Sequence, residues 1–171
     1  MRSALSCTLA TAGLLLGACS TDRPDPTAPQ TTTPGALNRD WREESHFNLN
    51  VLLRGEDHGF GLVLFRQRSD DPFVVHLNTL VFHLAPNTSY RLQRAADPAD
   101  GVCTSESWLT LGKGLTPQDI LTNSGGFGHE SLFRNLTSPA GTSFDIHFRV
   151  IEAATGAVAL SSGCYQFTVR G

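Results

Sequence analysis

Histidine and aspartate side chains are the residues of this chain that could support metal binding or acid–base catalysis. The histidines are His46, His58, His76, His83, His129 and His147. Imidazole is a common metal ligand, but residues on one strand face are an even number apart, and no two histidines are two apart. Asp145 and His147 have that spacing, and His129 follows a glycine-rich segment. We favour the interpretation that these three side chains are solvated residues of strands and loops. The alternative is a metal-binding protein or hydrolase that uses Asp145, His147 and His129.

The other chemical motifs are weak. The segment Gly125–His129 lacks the Lys-Ser/Thr ending of a phosphate-binding loop. Asp97 and Asp100 lie on a predicted tight turn that could hold calcium weakly, but turns select aspartate without any ion. No serine stands in a Gly-x-Ser-x-Gly motif. We therefore predict no catalytic, cofactor-binding or metal-binding residues and expect that the protein is not an enzyme.

The first residues have the composition of a secretory signal. A basic start precedes the apolar segment 4–16, and residues 1–18 are predicted to be removed as a signal peptide. The sequence Leu16-Gly17-Ala18-Cys19 resembles the lipobox of bacterial lipoproteins. This resemblance implies that Cys19 is acylated and that lipid holds the protein on a membrane which it does not span. The alternative is an ordinary secretory signal that contains a cysteine.

The segment after the signal predicts a tether. Residues 19–38 contain four prolines and almost no apolar residue, so they favour extended, solvated chain. Residues 39–171 are the predicted folded domain. Ser20 rather than Asp follows Cys19, which resembles the enterobacterial pattern for export to the outer membrane. In a host with two membranes we therefore expect the domain in the periplasm or at the cell surface, and otherwise elsewhere in the bacterial cell envelope.

Two cysteines remain in the predicted mature domain, Cys103 and Cys164. An even pair in an exported protein favours one disulfide bond. The alternative is a pair of metal-binding thiolates, but there is no Cys-x-x-Cys spacing and no histidine within four residues of either cysteine.

The secondary-structure elements that position these residues are predicted to be strands, because apolar and polar residues alternate with a period of two. The predicted strands are 46–53, 60–68, 73–84, 89–95, 107–111, 130–136, 142–151 and 157–170. Residues 116–122 carry a cap residue and a first-turn proline, which predict one short helical turn. In the clearest strand Phe144, Ile146, Phe148 and Val150 face inward, and Asp145, His147 and Arg149 face outward. The prediction is an all-β, two-sheet sandwich of about eight strands with one helical turn.

One segment resembles a known sandwich feature. Leu84, Pro86 and Tyr90 stand as in the tyrosine corner of fibronectin type III and other immunoglobulin-like domains. The resemblance implies that Tyr90 fills one end of the core while its hydroxyl bonds to backbone a few residues upstream. A weaker likeness is to copper-zinc superoxide dismutase sandwiches, but Tyr90 and Leu92 stand where their strand histidines would be. The prediction is therefore an immunoglobulin-like sandwich of uncharacterised family.

Composition narrows the function. The chain has 171 residues and a net charge of -3, which fits one domain and offers no positive field for nucleic acid. No apolar run reaches the roughly 18 to 20 residues that span a bilayer. We predict a binding or structural role in the envelope, with a protein or a carbohydrate as the expected class of ligand. Trp41, Trp108 and Phe127 are the large aromatics nearest predicted strand ends and could meet such a ligand, but aromatics at these positions are more often core or cap residues.

The predicted anchor can be tested by replacing Cys19 with serine. Cys19→Ser removes the thiol that would carry the lipid, so we expect the protein to leave the membrane fraction. Immunoblotting of fractionated cells measures this, with Cys7→Ser as the control because Cys7 lies in the predicted signal peptide. Unchanged sedimentation of Cys19→Ser with membranes would contradict the anchor.

Overall fold

A computed structural model describes residues 47–171, so the predicted signal peptide, Cys19 and the predicted tether lie outside the described residues. The strands are β1 (Asn48–Arg54), β2 (Phe60–Gln67), β3 (Val74–Phe82), β4 (Ser89–Pro98), β5 (Leu109–Thr110), β6 (Gly112–Lys113), β7 (Thr116–Pro117), β8 (Ile120–Leu121), β9 (Gly128–Asn135), β10 (Ser143–Glu152), β11 (Val158–Ser162) and β12 (Tyr165–Thr168). The predicted all-β class is confirmed for this part of the chain. No helix in residues 47–171 is long and apolar enough to cross a membrane.

The strands form one hydrogen-bonded sheet that almost closes on itself. Its main path runs β5-β4-β10-β11-β1-β2-β3-β9-β6-β7. The segment that contains β5 and β6 crosses the gap between β4 and β9, because β5 pairs with β4 and β6 pairs with β9. The described sheet therefore has twelve strands in a barrel-like arrangement. The prediction was a sandwich of two sheets with about eight strands in total.

Two local predictions are corrected. The predicted helical turn at 116–122 is replaced by β7 and β8, and Ile120 is fully buried opposite Tyr90. A single helical turn is marginal by itself, so pairing with neighbouring strands overrides the cap signal. The predicted strand 157–170 is two strands, since β11 and β12 pair with opposite halves of β10.

The core fills the inside of the sheet. In β1, Leu49, Val51 and Leu53 are buried and the residues between them are exposed, as the alternation predicts. The ring of Phe65 lies at the centre, with its centroid 4.7 Å from that of Phe167 and 6.1 Å from that of Phe148. These edge-to-face contacts stabilise aromatic pairs beyond the apolar area that they bury.

Tyr90 closes one end of this core. Its ring is buried, and the backbone N–H of Ala85 donates to its hydroxyl at 3.1 Å. The loop before Tyr90 is held by Thr122, whose hydroxyl donates to the carbonyl of Ala85 at 2.7 Å. Tyr90 thereby joins the β3–β4 connection to the start of β4.

The two tyrosines allow a matched test of this corner. Tyr90→Phe leaves the Ala85 N–H without its partner, so we expect the free energy of unfolding to fall by about 1 kcal/mol. Tyr165→Phe removes a hydroxyl that accepts from the exposed Leu52 N–H, where water can replace it, so its effect should stay below about 0.5 kcal/mol. Urea unfolding measures both variants, and equal effects would contradict the role of Tyr90.

Candidate functional site

The structure does not bring the three candidate residues together. Asp145 and His147 lie on β10, whereas His129 lies on β9, is exposed and stands opposite Leu80 of β3. No group of three or more His, Cys, Asp and Glu side chains converges anywhere in residues 47–171. The site that the alternative interpretation requires is therefore not assembled from Asp145, His147 and His129.

Asp145 corrects a sequence prediction, because it is buried rather than solvated. Residues 99–108, here called the cover loop, lie over the outer face of β4 and β10. The backbone N–H of Gly101 donates to Asp145 Oδ2. Asp97 is the register partner of Asp145, and its Oδ1 accepts from the backbone N–H groups of Thr104 and Ser105. Both carboxylates therefore bind the backbone of the cover loop.

His147 also contacts the cover loop. Its Nε2 donates to the carbonyl of Ser105 at 3.1 Å, and its ring centroid lies 4.6 Å from that of Trp108. Asp97 Oδ2 lies 3.9 Å from the same nitrogen. The Arg149 guanidinium covers the other part of the Trp108 ring, at 4.1 Å from its centroid. This cluster packs around the half-buried Trp108 at the end of the cover loop.

A disulfide bond fastens the middle of the cover loop. Cys103 and Cys164 are bonded across 61 residues of sequence. Closing a loop of that length stabilises the fold by about 4 kcal/mol on the chain-entropy model. The aspartates considered for calcium, Asp97 and Asp100, also accept hydrogen bonds from the backbone of the cover loop. Asp100 Oδ1 accepts from the N–H of Val102. The cover loop is a structural assembly on the outer face.

The remaining sequence candidates are distributed elsewhere. Asn123 Oδ1 accepts from the N–H groups of Gly125 and Phe127, so the glycine-rich segment is a tight turn before β9. Phe127 contacts Phe82 with ring centroids 5.1 Å apart, and Phe82 stacks on Phe60 at 4.5 Å. Trp41 lies outside the described residues.

The inside of the sheet contains a cavity that sequence reasoning did not predict. It has a volume of about 190 Å³ and lies at the end where β9 finishes and β10 starts. The register of β4 and β10 places Pro98 and Phe144 at this end and Tyr90 at the other. Six of its apolar lining residues are Phe65, Val75, Leu77, Phe144, Phe148 and Phe167. A cavity of about 150 Å³ accommodates benzene, so this one has room for a small molecule.

Two arginines also line this cavity. Arg94 lies on the inner face of β4 between Leu92 and Ala96, opposite the buried Phe148 of β10. Arg134 lies on β9 opposite the buried Val75, and its Nη1 donates to the carbonyl of Gly114 at 3.2 Å. Removal from water lowers the pKa of Arg94 below its usual value, and the charge of Arg134 lowers this pKa further.

The sequence contains a signal that places both Arg94 and Arg134 on the core side of their strands. Residues two apart on a strand share a face, so the apolar neighbours Leu92 and Ala96 place Arg94 on the core side. A cation at an inward position of a strand is unusual and often marks a functional site. The same argument applies to Arg134, two residues after the buried Leu132.

No known protein-family model matches this chain, and no curated protein matches it either.

The cover loop allows a matched test of its buried carboxylate. Asp145→Ala removes a buried side chain and the acceptor of the Gly101 N–H in a part-buried hydrogen bond, so we expect the free energy of unfolding to fall by about 1 kcal/mol or more. Asp100→Ala removes an exposed carboxylate from the same loop, and its effect should stay within about 0.5 kcal/mol. Urea unfolding measures both, and a neutral Asp145→Ala would show that Asp145 does not hold the loop.

Proposed function

We propose that this protein is a lipid-anchored protein of the bacterial cell envelope that binds a small ligand inside its sheet. The lipobox-like sequence that ends at Cys19 supports the anchor, and the outer membrane is the expected location in a host that has one. The proline-rich segment 19–38 supports a domain held away from the bilayer. The protein acts by binding and not by catalysis.

The observation that carries the binding role is the cavity of about 190 Å³. The cavity lies between the inner faces of the strands and opens toward the exposed Asn135 and Thr137. A cavity with mostly apolar walls and a small number of polar groups is the usual form of a small-molecule site. The cavity therefore favours a small ligand over the protein or carbohydrate ligand predicted from the sequence.

We also propose that the domain is related to immunoglobulin-like sandwiches. The support is the Leu84, Pro86 and Tyr90 corner, in which the Tyr90 hydroxyl accepts from the backbone five residues upstream at 3.1 Å. In this proposal β5–β8 are additions to a two-sheet sandwich. They lie between the edges of the two sheets and join them into one nearly continuous sheet.

The cavity can be tested with compact probes. Methyl NMR of the full chain carrying Cys19→Ser, in buffer without detergent, follows Val75 and Leu77 during titration with benzoate, benzamide, hexanoate and hexanamide. We expect at least one probe to shift these methyl signals in a saturable way, because both residues line the cavity.

A cavity-filling variant supplies the control for this titration. Ala96 lines the cavity, so Ala96→Leu should weaken binding of the probe by about tenfold or more, while Ala140→Leu on the exposed β9–β10 connection should not. Circular dichroism checks that both variants fold. No saturable shift with any of the four probes at millimolar concentration would contradict the proposed function.

A further inference from the structure

We propose that the cavity binds a monoanion, above all a carboxylate, carried on a compact apolar body such as one aromatic ring or a short acyl chain. This inference rests on the proposed function and identifies the class of ligand. It is carried by Arg94 and Arg134, which face an otherwise largely apolar space.

Arg94 is a half-buried cation on the inner face of the sheet. Within residues 47–171 it has no hydrogen-bond or ion-pair partner, although the other arginines near β4 have one: Arg91 pairs with Asp119 at 2.6 Å, and Arg149 donates to Gln93 at 2.7 Å. Moving a charge from water into an apolar site is costly unless it is paired. Because Arg94 is half-buried and lines the cavity, an anion that enters the cavity would supply the partner that residues 47–171 do not provide.

Arg134 strengthens the need for an anion. The cavity lining contains this second cation and no aspartate or glutamate. The hydrogen bond from Arg134 to Gly114 fixes one side of its guanidinium, whereas Arg94 keeps its donors available to the cavity. A guanidinium presents parallel N–H groups that match both oxygens of a carboxylate. A bound carboxylate would pair with Arg94 and reduce its repulsion from Arg134.

The apolar walls specify the rest of the ligand. Phe65, Phe144, Phe148 and Phe167 line the cavity, and aromatic rings pack favourably against each other in edge-to-face geometry. The volume of about 190 Å³ limits the apolar body to about one ring or a few methylenes. Asn135, Thr137 and Ser138 provide further polar groups at the cavity. A free inorganic anion would use the arginines and leave the aromatic walls unfilled.

A structural role for Arg94 predicts a different outcome, and stability measurements distinguish the two. If Arg94 serves ligand binding, Arg94→Met removes an unpaired charge from an apolar site and should raise the melting temperature of the ligand-free protein. If Arg94 supports the fold, the same variant should lower it. Arg54→Met is the matched control, because Arg54 is exposed on β1 and its loss changes the net charge equally.

The binding experiment compares isosteric anionic and neutral probes. Calorimetric titration of the full chain carrying Cys19→Ser uses benzoate, benzamide and inorganic phosphate. We expect benzoate to bind at least about tenfold more tightly than benzamide, as charge-assisted hydrogen bonds require. Arg94→Met should reduce this preference to within about twofold, Arg94→Lys should restore part of it, and Arg54→Met should leave it unchanged.

The outcomes separate this inference from the proposed function. Equal affinity for benzoate and benzamide would leave a binding cavity in place and overturn the anionic ligand. Phosphate binding as tightly as benzoate would overturn the apolar body. A lower melting temperature of ligand-free Arg94→Met, with the benzoate preference retained, would assign Arg94 to the fold. No binding of benzoate or benzamide, together with no methyl shift from hexanoate or hexanamide, would overturn the proposed function along with the inference.

Discussion

The pairing of β4 with β10 is the constraint on which the rest of the structure depends. The two strands match continuously from Pro98 and Phe144 at one end to Tyr90 and Glu152 at the other. Because side chains alternate across a strand, this one register fixes two surfaces at once. The inner surface carries Arg94 opposite Phe148, and the outer surface carries Asp97 opposite Asp145. A shift of either strand by one residue would turn its own carboxylate, Asp97 on β4 or Asp145 on β10, toward the core.

The charged groups on these two surfaces are treated differently by the structure. On the outer surface, Asp97 and Asp145 accept hydrogen bonds from the cover loop, and the disulfide bond between Cys103 and Cys164 fastens that loop. These backbone hydrogen bonds compensate the burial of the two carboxylates, while Asp97 Oδ2 accepts none and lies 3.9 Å from His147 Nε2. On the inner surface, Arg94 has no partner in the described chain. Stability alone would favour an apolar side chain at this inward position, which is why Arg94 carries the proposed anion site.

The sequence predicts the long strands because each alternates against one core. Residues 48–54 show the expected alternation, and in β10 Ile146, Phe148 and Val150 are buried as predicted, although Asp145 next to Ile146 is buried as well. The prediction for β4 stops at Ala95 because the following aspartates, proline and glycine indicate a turn, yet the strand continues to Pro98. Strands of two residues such as β8 are too short to show a period, so only tertiary pairing reveals them.

The candidate site was harder to predict for two physical reasons. Alternation assigns Asp145 to the outer face correctly, but it does not show that a distant segment covers this face. Alternation does assign Arg94 to the core side, yet the cavity around it depends on how strands from the whole chain come together. The histidines were candidates because imidazole is a common metal ligand, whereas Arg94 is a candidate because of its inward position on a strand. An inward arginine is therefore a stronger sequence signal here than a scattered set of imidazoles.

The cavity lies beside the weakest part of the sheet closure. β5 meets β4 over two residue pairs, one of which is Arg94 with Leu109, and β6 meets β9 at the single pair of Lys113 and Phe133. Short pairings of this kind open at lower free energy than the long β4–β10 ladder. Leu111 lies between them and lines the cavity. The segment that closes the sheet thus runs past both arginines, and the buried side chain of Leu111 joins it to the same core as Phe65.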